Sequence, residues 1–416
     1  MNLSRRHFLK SMAAVPVIPG ILEAAYAAEL SDRHLIILWM DGGMSHIDTL
    51  DPKPEAGSDI RGPLDTIPTG LDGIRLSAPL KDLAGVIDRC CLVRSINSPE
   101  GNHDRGSHYM LTGRRPSQLL TYPSLGSTLS LSAKRRDGIP PYVAIPEAHA
   151  YARNGFLPDR FGPFETGGDP GRPDFAVRDL TPGSGVGQTN ELIDTLKSMQ
   201  GGLKSSDEKE RDYFLRQAGL MSLNPDMRHH FNLKSEPQSM HQAYGRHKMG
   251  QSCLLARRLV QAGVRVVLVR DTGWDHHVNI GQALTYGFPA KLTALNQALT
   301  NLIVDLERTG LSEKTTVMLA SEFGRTPRLN PSGGRDHWSR ASSSLLFGGG
   351  IRPGQVIGQT DRRGEEPVLQ PVSPADLFAT LLVSMGMDRD FRLTSSDGRP
   401  IPVVDPEAHI IHDMLA

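Results

Sequence analysis

A run of β-forming residues, Thr315–Ala320, leads directly into Ser-Glu-Phe-Gly-Arg-Thr-Pro at residues 321–327. The length and composition of the run predict a buried strand, which a glycine and a proline then end in a loop. The strand delivers Glu322 to its carboxyl end, and the loop continues to Asp336 and His337. Ligands and metal ions bind at the carboxyl ends of strands in open α/β sheets. This stretch therefore predicts one part of a site at a sheet edge.

Two earlier runs end in the same way. The continuous apolar run from His34 to Met40 is typical of a buried parallel strand, and Asp41 and two glycines follow it. The glycines allow close backbone approach, so Asp41 is a candidate metal ligand, and the alternative is a cap of a turn. The predicted strand Cys90–Ile96 is followed by His103, in a segment dense in His, Asp and Arg. That density favours a site over an ordinary surface histidine.

A third run carries the densest set of ligand-type residues. Val264–Val269 predicts a strand, and Asp-Thr-Gly-Trp-Asp-His-His follows at residues 271–277. Two carboxylates and two histidines within seven residues at a strand end indicate metal binding, with Asp275 and His277 as the predicted ligands.

The order of the elements predicts the fold class. Helical spacing of leucines over 251–262 and 291–308 alternates with the predicted strands. This alternation predicts an α/β fold with a mostly parallel central sheet covered by helices on both faces. We expect one domain over residues 28–416, with an irregular insertion around 150–250 where Gly, Pro and charged residues replace the periodicity.

The N-terminus predicts export. Arg5 and Arg6 precede a mild apolar run and the small-residue pattern Ala25-Tyr26-Ala27, so residues 1–27 are interpreted as a twin-arginine signal peptide. The twin-arginine export machinery is then a partner, and the periplasm or cell surface is the destination. Removing these residues takes three basic and one acidic residue from 46 of each, which leaves 43 basic against 45 acidic. Near neutrality argues against a nucleic-acid partner, and no segment is apolar over the length of a membrane span.

The combined ligand set predicts a chemistry. Carboxylates mixed with imidazoles suit one or two divalent metal ions, with Zn, Mn, Mg and Ca all open at this point. Arg325 and Arg335 stand beside the predicted ligands, and guanidinium groups match a tetrahedral oxyanion bidentately. A metal ion and arginines together indicate hydrolysis of a small anionic ester.

Five ordered motifs resemble a known family. They are Met-Asp-Gly-Gly-x-Ser-His-Ile-Asp-Thr-x-Asp-Pro-Lys (40–53), Leu-Leu-Ala-Arg-Arg-Leu-Val-x-Ala-Gly-Val (254–264), Gly-Trp-Asp-x-His (273–277), Glu-Phe-Gly-Arg-Thr-Pro (322–327) and Gly-Arg-Asp-His-Trp (334–338). The combination resembles the exported bacterial family of domain of unknown function 1501, within the alkaline phosphatase and sulfatase superfamily. The resemblance implies an alkaline phosphatase-like fold with a metal site at the carboxyl edge of its sheet, and it implies no particular substrate.

The resemblance also implies roles for single residues. Asp41 resembles the first-strand metal ligand of the superfamily, Glu322 its second acidic ligand and His337 its last histidine. Asp275 and His277 resemble its Asp-and-His pair, although His276 stands where threonine is more frequent. Phe323 replaces a histidine found in many members, and Asp336 is the candidate to compensate for it.

The predicted nucleophile departs from the superfamily pattern. Alignment on Leu-Thr-Gly at 111–113 puts His103 at the nucleophile position of sulfatases, where no hydroxyl or thiol is present. Three interpretations follow: His103 is a metal ligand and water attacks, His103 itself becomes phosphorylated, or the site binds without turnover. The first is favoured because imidazole beside carboxylates is most often a ligand. Ser45 is an alternative nucleophile.

Two hypotheses for function follow. The first is an exported metal-dependent hydrolase of a phosphate or sulfate ester, with His103, Ser45, Arg325 and Arg335 as the candidate catalytic residues. The second is a metal-stabilised, non-catalytic binding or assembly protein on a sulfatase-like fold.

Overall fold

An eight-stranded sheet forms the centre of the protein in the computed structural model, which describes residues 32–134, 138–177, 225–395 and 397–416. The predicted signal peptide and the middle of the predicted insertion lie outside these ranges. The strands are β1 His34–Asp41, β2 Thr66–Pro68, β3 Arg75–Ser77, β4 Cys90–Ile96, β5 Tyr142–Ile145, β6 Phe164–Glu165, β7 Val266–Thr272, β8 Thr315–Ala320, β9 Gly324–Arg325, β10 His337–Trp338, β11 Ser342–Gly348, β12 Gln355–Ile357, β13 Gln359–Thr360, β14 Pro367–Leu369, β15 Arg392–Thr394 and β16 Pro400–Pro402.

The helices include two long ones and several short ones. They are α1 Ser58–Arg61, α2 Lys81–Ala84, α3 His103–Thr112, α4 Leu125–Ser130, α5 Pro225–Phe231, α6 Gln238–Tyr244, α7 Lys248–Ala262, α8 Ile280–Thr285, α9 Lys291–Arg308 and α10 Pro374–Ser384.

The central sheet has the order β12-β4-β11-β8-β1-β7-β5-β6. Strand β1 lies between β7 and β8 and is parallel to both, and β5, β6, β4 and β12 run in the same direction. Only β11 runs against its two neighbours in this sheet. The mostly parallel direction brings the carboxyl ends of β1, β7, β5 and β8 to one edge, which confirms the predicted fold class.

The side chains of β1 point alternately into two hydrophobic cores, one on each face of the sheet. Ile36, Leu38 and Met40 pack with leucines of α7 and α9 on one face. Leu35, Ile37 and Trp39 pack with residues of α3, α4 and α10 on the other face. Because side chains of a strand point alternately to its two sides, a continuous apolar run is what a sheet covered on both faces requires.

Most predicted elements lie where the sequence indicates them. The strands from Cys90 and Thr315 have the predicted bounds, and the helix over 291–308 does as well. Among the described residues, no helix is both long enough and apolar enough to cross a bilayer. The single-domain arrangement over 28–416 stays a prediction, because residues 178–224 lie outside the described ranges.

Candidate metal centre

Three imidazoles surround one carboxylate at the carboxyl edge of the sheet. The ligand-type atoms of His103, Asp275 and His337 all lie within 4.8 Å of one another. His103 Nε2 is 3.5 Å from Asp275 Oδ2, and His337 Nε2 is 3.4 Å from Asp275 Oδ1. His277 joins them, with its Nε2 at 2.9 Å from Asp275 Oδ1 and 3.1 Å from His337 Nε2. We call these four residues the histidine cluster.

The spacing of the histidine cluster suits a tetrahedral ion. Zinc–nitrogen bonds of about 2.0–2.1 Å in a tetrahedron separate neighbouring ligand atoms by about 3.3 Å. The distances of 3.4 and 3.5 Å from the Asp275 oxygens to His337 and His103 are close to that edge length. His103, Asp275 and His337 therefore have both the donor types and the spacing of a set that can hold a divalent ion of the zinc type, and His277 lies directly beside them.

Glu322 orients His103. The side chain of Glu322 is buried, and its Oε1 lies 2.7 Å from His103 Nδ1. Since a carboxylate accepts, Nδ1 carries the proton and Nε2 turns its lone pair toward Asp275. The same hydrogen bond is the main reason that the pKa of His103 is raised. The sequence predicts Glu322 as a direct ligand, whereas the geometry gives it the carboxylate–histidine arrangement that holds metal-binding imidazoles in place.

The other two imidazoles are held in the same way. His277 Nδ1 lies 2.8 Å from Asp336 Oδ1, and His337 Nδ1 lies 3.2 Å from the carbonyl oxygen of Gly101. Each acceptor fixes the proton on Nδ1, so that Nε2 carries the lone pair with which an imidazole binds a cation. Asp336, predicted as a ligand, thus contacts the outer nitrogen of His277, and that hydrogen bond lowers the pKa of Asp336.

Phe323 forms an apolar wall beside the histidine cluster. Its buried ring lies 5.1 Å from the ring of His103 and 4.8 Å from that of His337, centroid to centroid. The residue that departs from the family pattern therefore packs against two imidazoles. A phenyl ring at this position restricts how they rotate, and it offers no donor to a second ion.

Gly42 allows two loops of the site to cross. Its φ is +125°, and a Cβ atom there would lie 2.6 Å from the backbone nitrogen of Asp275. Its own nitrogen donates to Glu322 at 3.0 Å. Only glycine fits a left-handed backbone in this close contact, so the predicted close approach after β1 is explained by the crossing of these two loops.

Arg325 fixes Asp275. The guanidinium is fully buried and donates to Asp275 Oδ1, to the carbonyl oxygens of Gly42 and Gly43, and to that of Arg335, with a longer contact to His277. Partial burial alone would raise the pKa of Asp275, but the hydrogen bond and charge of Arg325 lower it to about 2. Asp275 is therefore ionised at any ordinary pH, as a metal ligand must be. Arg325 acts on it as a positioning residue.

Arg335 and Ser45 are buried, and their polar groups are hydrogen-bonded to other parts of the protein. The buried guanidinium of Arg335 contacts Asp48 at 2.6 and 3.2 Å and donates its other N–H groups to the carbonyl oxygens of residues 60, 326 and 327. All five donors thus have protein acceptors. The Ser45 hydroxyl donates to the same Asp48 carboxylate at 2.5 Å. This geometry gives neither predicted catalytic residue a free group for substrate.

Asp41 lies at the same edge but outside the histidine cluster, where it pairs with Arg270. Arg270 and its neighbour His149 were not predicted as part of the site. A cation near the end of the apolar strand β7 was the available signal for Arg270, and a histidine shortly after β5 was the signal for His149. The ring of His276 meets that of Trp274 edge to face at 6.2 Å, and burial, followed by the charge of Arg325, lowers the pKa of His276 to about 4.

The residues present fit a divalent cation. Three carboxylates, those of Asp275, Glu322 and Asp336, surround the imidazoles, and the guanidinium of Arg325 offsets one of their three charges. A divalent ion would balance this excess of negative charge. An imidazole-rich set of this kind binds zinc and related transition ions in preference to Mg or Ca, which take oxygen ligands.

The fold and this cluster define an α/β protein with a candidate metal site at the carboxyl edge of its sheet. The chain belongs to the family described as protein of unknown function DUF1501, whose model matches residues 32–415. No protein of curated function matches the sequence.

Solved structures similar to this chain include sulfatases and phosphatase-like enzymes. The lipoteichoic acid synthase LtaP from Listeria monocytogenes is 11% identical, with a TM-score of 0.40 over 91% of this chain and 76% of that one. The PsFucS1 sulfatase from Pseudoalteromonas sp. is 12% identical, with a TM-score of 0.35 over 90% and 72%. A mutant of TAB5 alkaline phosphatase with Mg bound is 12% identical, with a TM-score of 0.36 over 86% and 99%.

Proposed function

We propose that the protein is a metal-dependent hydrolase of a phosphate or sulfate ester. The observation that carries this proposal is the convergence of three Nε2 atoms on Asp275, with each Nδ1 atom held by an acceptor. When bound, a divalent ion of the zinc type would polarise the ester oxygen and activate water. His103, His277, His337 and Asp275 would hold it.

The chain's own residues prepare the site for that chemistry. Arg325 keeps Asp275 ionised, and Glu322 keeps the proton of His103 on the outer nitrogen. His103 serves as a ligand in this proposal, and water attacks the ester. The partly exposed face of Asp275 and His277, at 43% and 41% exposure, leaves room for a small anionic ester to approach.

One observation favours the second candidate, a metal-stabilised binding or assembly protein. The buried arginines beside the cluster, Arg325 and Arg335, donate their N–H groups to protein acceptors, and the hydroxyl of Ser45 donates to Asp48. A site in which these two guanidinium groups and the Ser45 hydroxyl already have protein partners can hold an ion without turning over an ester.

Metal content and turnover together test the two candidates. The protein is purified without chelator, its zinc, manganese, magnesium and calcium are measured, and aryl phosphate monoesters, diesters and sulfates are assayed with each ion. His337→Ala removes a ligand, and His409→Ala, at a side chain 90% exposed, is the matched control. We expect about one ion per chain, and turnover that His337→Ala abolishes and His409→Ala leaves unchanged.

The remaining outcomes decide between the candidates. Bound metal without turnover of any ester would refute the hydrolase and leave the binding protein. Less than one ion per chain would refute both.

We also propose that the twin-arginine machinery exports the protein to the periplasm or cell surface, from the sequence of residues 1–27. Replacing both Arg5 and Arg6 by lysine is expected to retain the precursor in the cytoplasm. Unchanged amounts of processed protein in the periplasmic fraction would contradict export by this route.

A further inference from the structure

The guanidinium of Arg270 lies between two carboxylates close to the histidine cluster. Nε and Nη2 of Arg270 lie 2.7 and 2.6 Å from Asp41 Oδ2, and Nη1 lies 3.1 Å from Glu147 Oε1. Arg270 stands opposite Trp39 in the register of β7 with β1, so its side chain follows the same face of the sheet toward Asp41. The side chains of Asp41 and Arg270 are only 16% and 20% exposed. The contact is therefore a largely desolvated ion pair.

The groups around Arg270 are themselves of the kind that bind metals. His149 Nε2 lies 3.9 Å from the other oxygen of Asp41, and its Nδ1 accepts from the backbone nitrogen of Tyr151 at 3.2 Å. The two carboxylates are ligands that divalent ions commonly use, whereas His149, with Nδ1 accepting, carries its proton on Nε2 and turns a donor toward Asp41. Here the positive charge between the carboxylates is supplied by a side chain of the chain itself.

This second position is adjacent to the first. Gly42, the residue after Asp41, donates its backbone N–H to Glu322 at 3.0 Å, and Glu322 in turn holds His103. Asp41 and the histidine cluster are therefore linked through Glu322, and a second ion bound to Asp41 would meet the fixed charge of Arg270. Like charges at such short range repel strongly in a partly buried site.

We propose that Arg270 takes the place of a second metal ion, so that this site binds one divalent ion per chain. The inference rests on the proposed metal site and deepens it, because it sets the number of ions and excludes Asp41 from the ligands. A permanent guanidinium keeps its charge without any dependence on metal supply.

Metal stoichiometry tests this inference without reference to activity. The full-length protein is stripped with chelator, equilibrated with excess zinc, passed through a desalting column and analysed for zinc per chain. We expect one ion in the unmodified protein and in Arg270→Lys, which keeps the charge, and two ions in Arg270→Met, which frees Asp41 and Glu147. Arg153→Met is the matched control, because Arg153 pairs with Glu165 in an exposed contact.

A second variant keeps the test decisive if Arg270→Met does not fold. Asp41→Asn is expected to keep one ion with less than a threefold change in zinc affinity, whereas His337→Ala loses at least a hundredfold. Two ions in the unmodified protein, one ion in folded Arg270→Met, or loss of the ion in Asp41→Asn would each overturn the inference. No ion in the unmodified protein would instead overturn the metal site of the proposed function, and the inference with it.

Discussion

Substitution of Glu322 by glutamine separates a positioning role from a ligand role. Glu322 Oε1 accepts from His103 Nδ1 at 2.7 Å and from the Gly42 nitrogen at 3.0 Å, and Oε2 contacts the Ser321 hydroxyl at 2.9 Å. Glutamine keeps the shape but replaces one acceptor by an amide and removes the charge. Its carbonyl oxygen can accept from His103 Nδ1 while its amide faces Ser321 Oγ, whose proton also has the carbonyl oxygen of Met40 at 2.5 Å as an acceptor, so the main loss is the charge behind His103.

The expected loss follows from that geometry. Changes to the acceptor behind a metal-binding histidine typically weaken metal binding about 10–100-fold, which is about 1.4–2.8 kcal/mol. We therefore expect the zinc affinity of Glu322→Gln to fall within that range, with one ion still bound at saturation. The measurement is a competition titration of zinc against a chromophoric chelator.

Two results would refute this reasoning. An affinity within twofold of the unmodified protein would mean that Glu322 does not orient His103. Loss of the ion as complete as in His337→Ala would mean that Glu322 is a direct ligand, as the sequence predicts. Glu366→Gln is the matched control, because Glu366 is an exposed carboxylate paired with Arg340.

Two further predictions concern the framework of the site. Asp48→Ala leaves Arg335 buried without its counterion, and we expect a loss of about 3–5 kcal/mol in the free energy of unfolding, measured by urea denaturation; a loss below about 1 kcal/mol would contradict a structural role for the pair. Gly42→Ala puts a Cβ atom 2.6 Å from the Asp275 nitrogen, so we expect at least a tenfold weaker zinc affinity in the same titration, whereas Gly73→Ala, with no atom within 4 Å, should leave it unchanged. Equal effects of the two alanines would count against the loop crossing.

Apolar runs made the sheet predictable, because a strand buried on both faces must be apolar throughout. The bounds of β8 and the position of Asp41 at the end of β1 followed from composition alone. The reversed direction of β11 could not be predicted, because the composition of Ser342–Gly348 is the same whichever way the strand runs. Strand direction depends on its hydrogen-bonded neighbours, which a single run does not specify.

The candidate site was predictable as a neighbourhood but not in its inner arrangement. Parallel strand ends bring Asp275 and Glu322 to the same edge, so their proximity follows from topology. Whether a carboxylate faces an ion or the outer nitrogen of an imidazole depends on rotamers and on a few ångströms of loop path. The backbone acceptor of Gly101 for His337 and the pairing of Asp41 with Arg270 have no sequence signature of their own.

The wide spacing of the histidine cluster along the chain also sets when the cluster can form. His103 emerges from the ribosome early, but its partners Asp275 and His337 follow only after most of the chain has been made. At ~5–20 residues per second, roughly 10–50 s separate His103 from His337. An ion therefore cannot guide the folding of the N-terminal part and can be captured only by a nearly complete chain. Under the proposed twin-arginine route, which carries folded proteins, the compartment of synthesis would decide which metal the site receives.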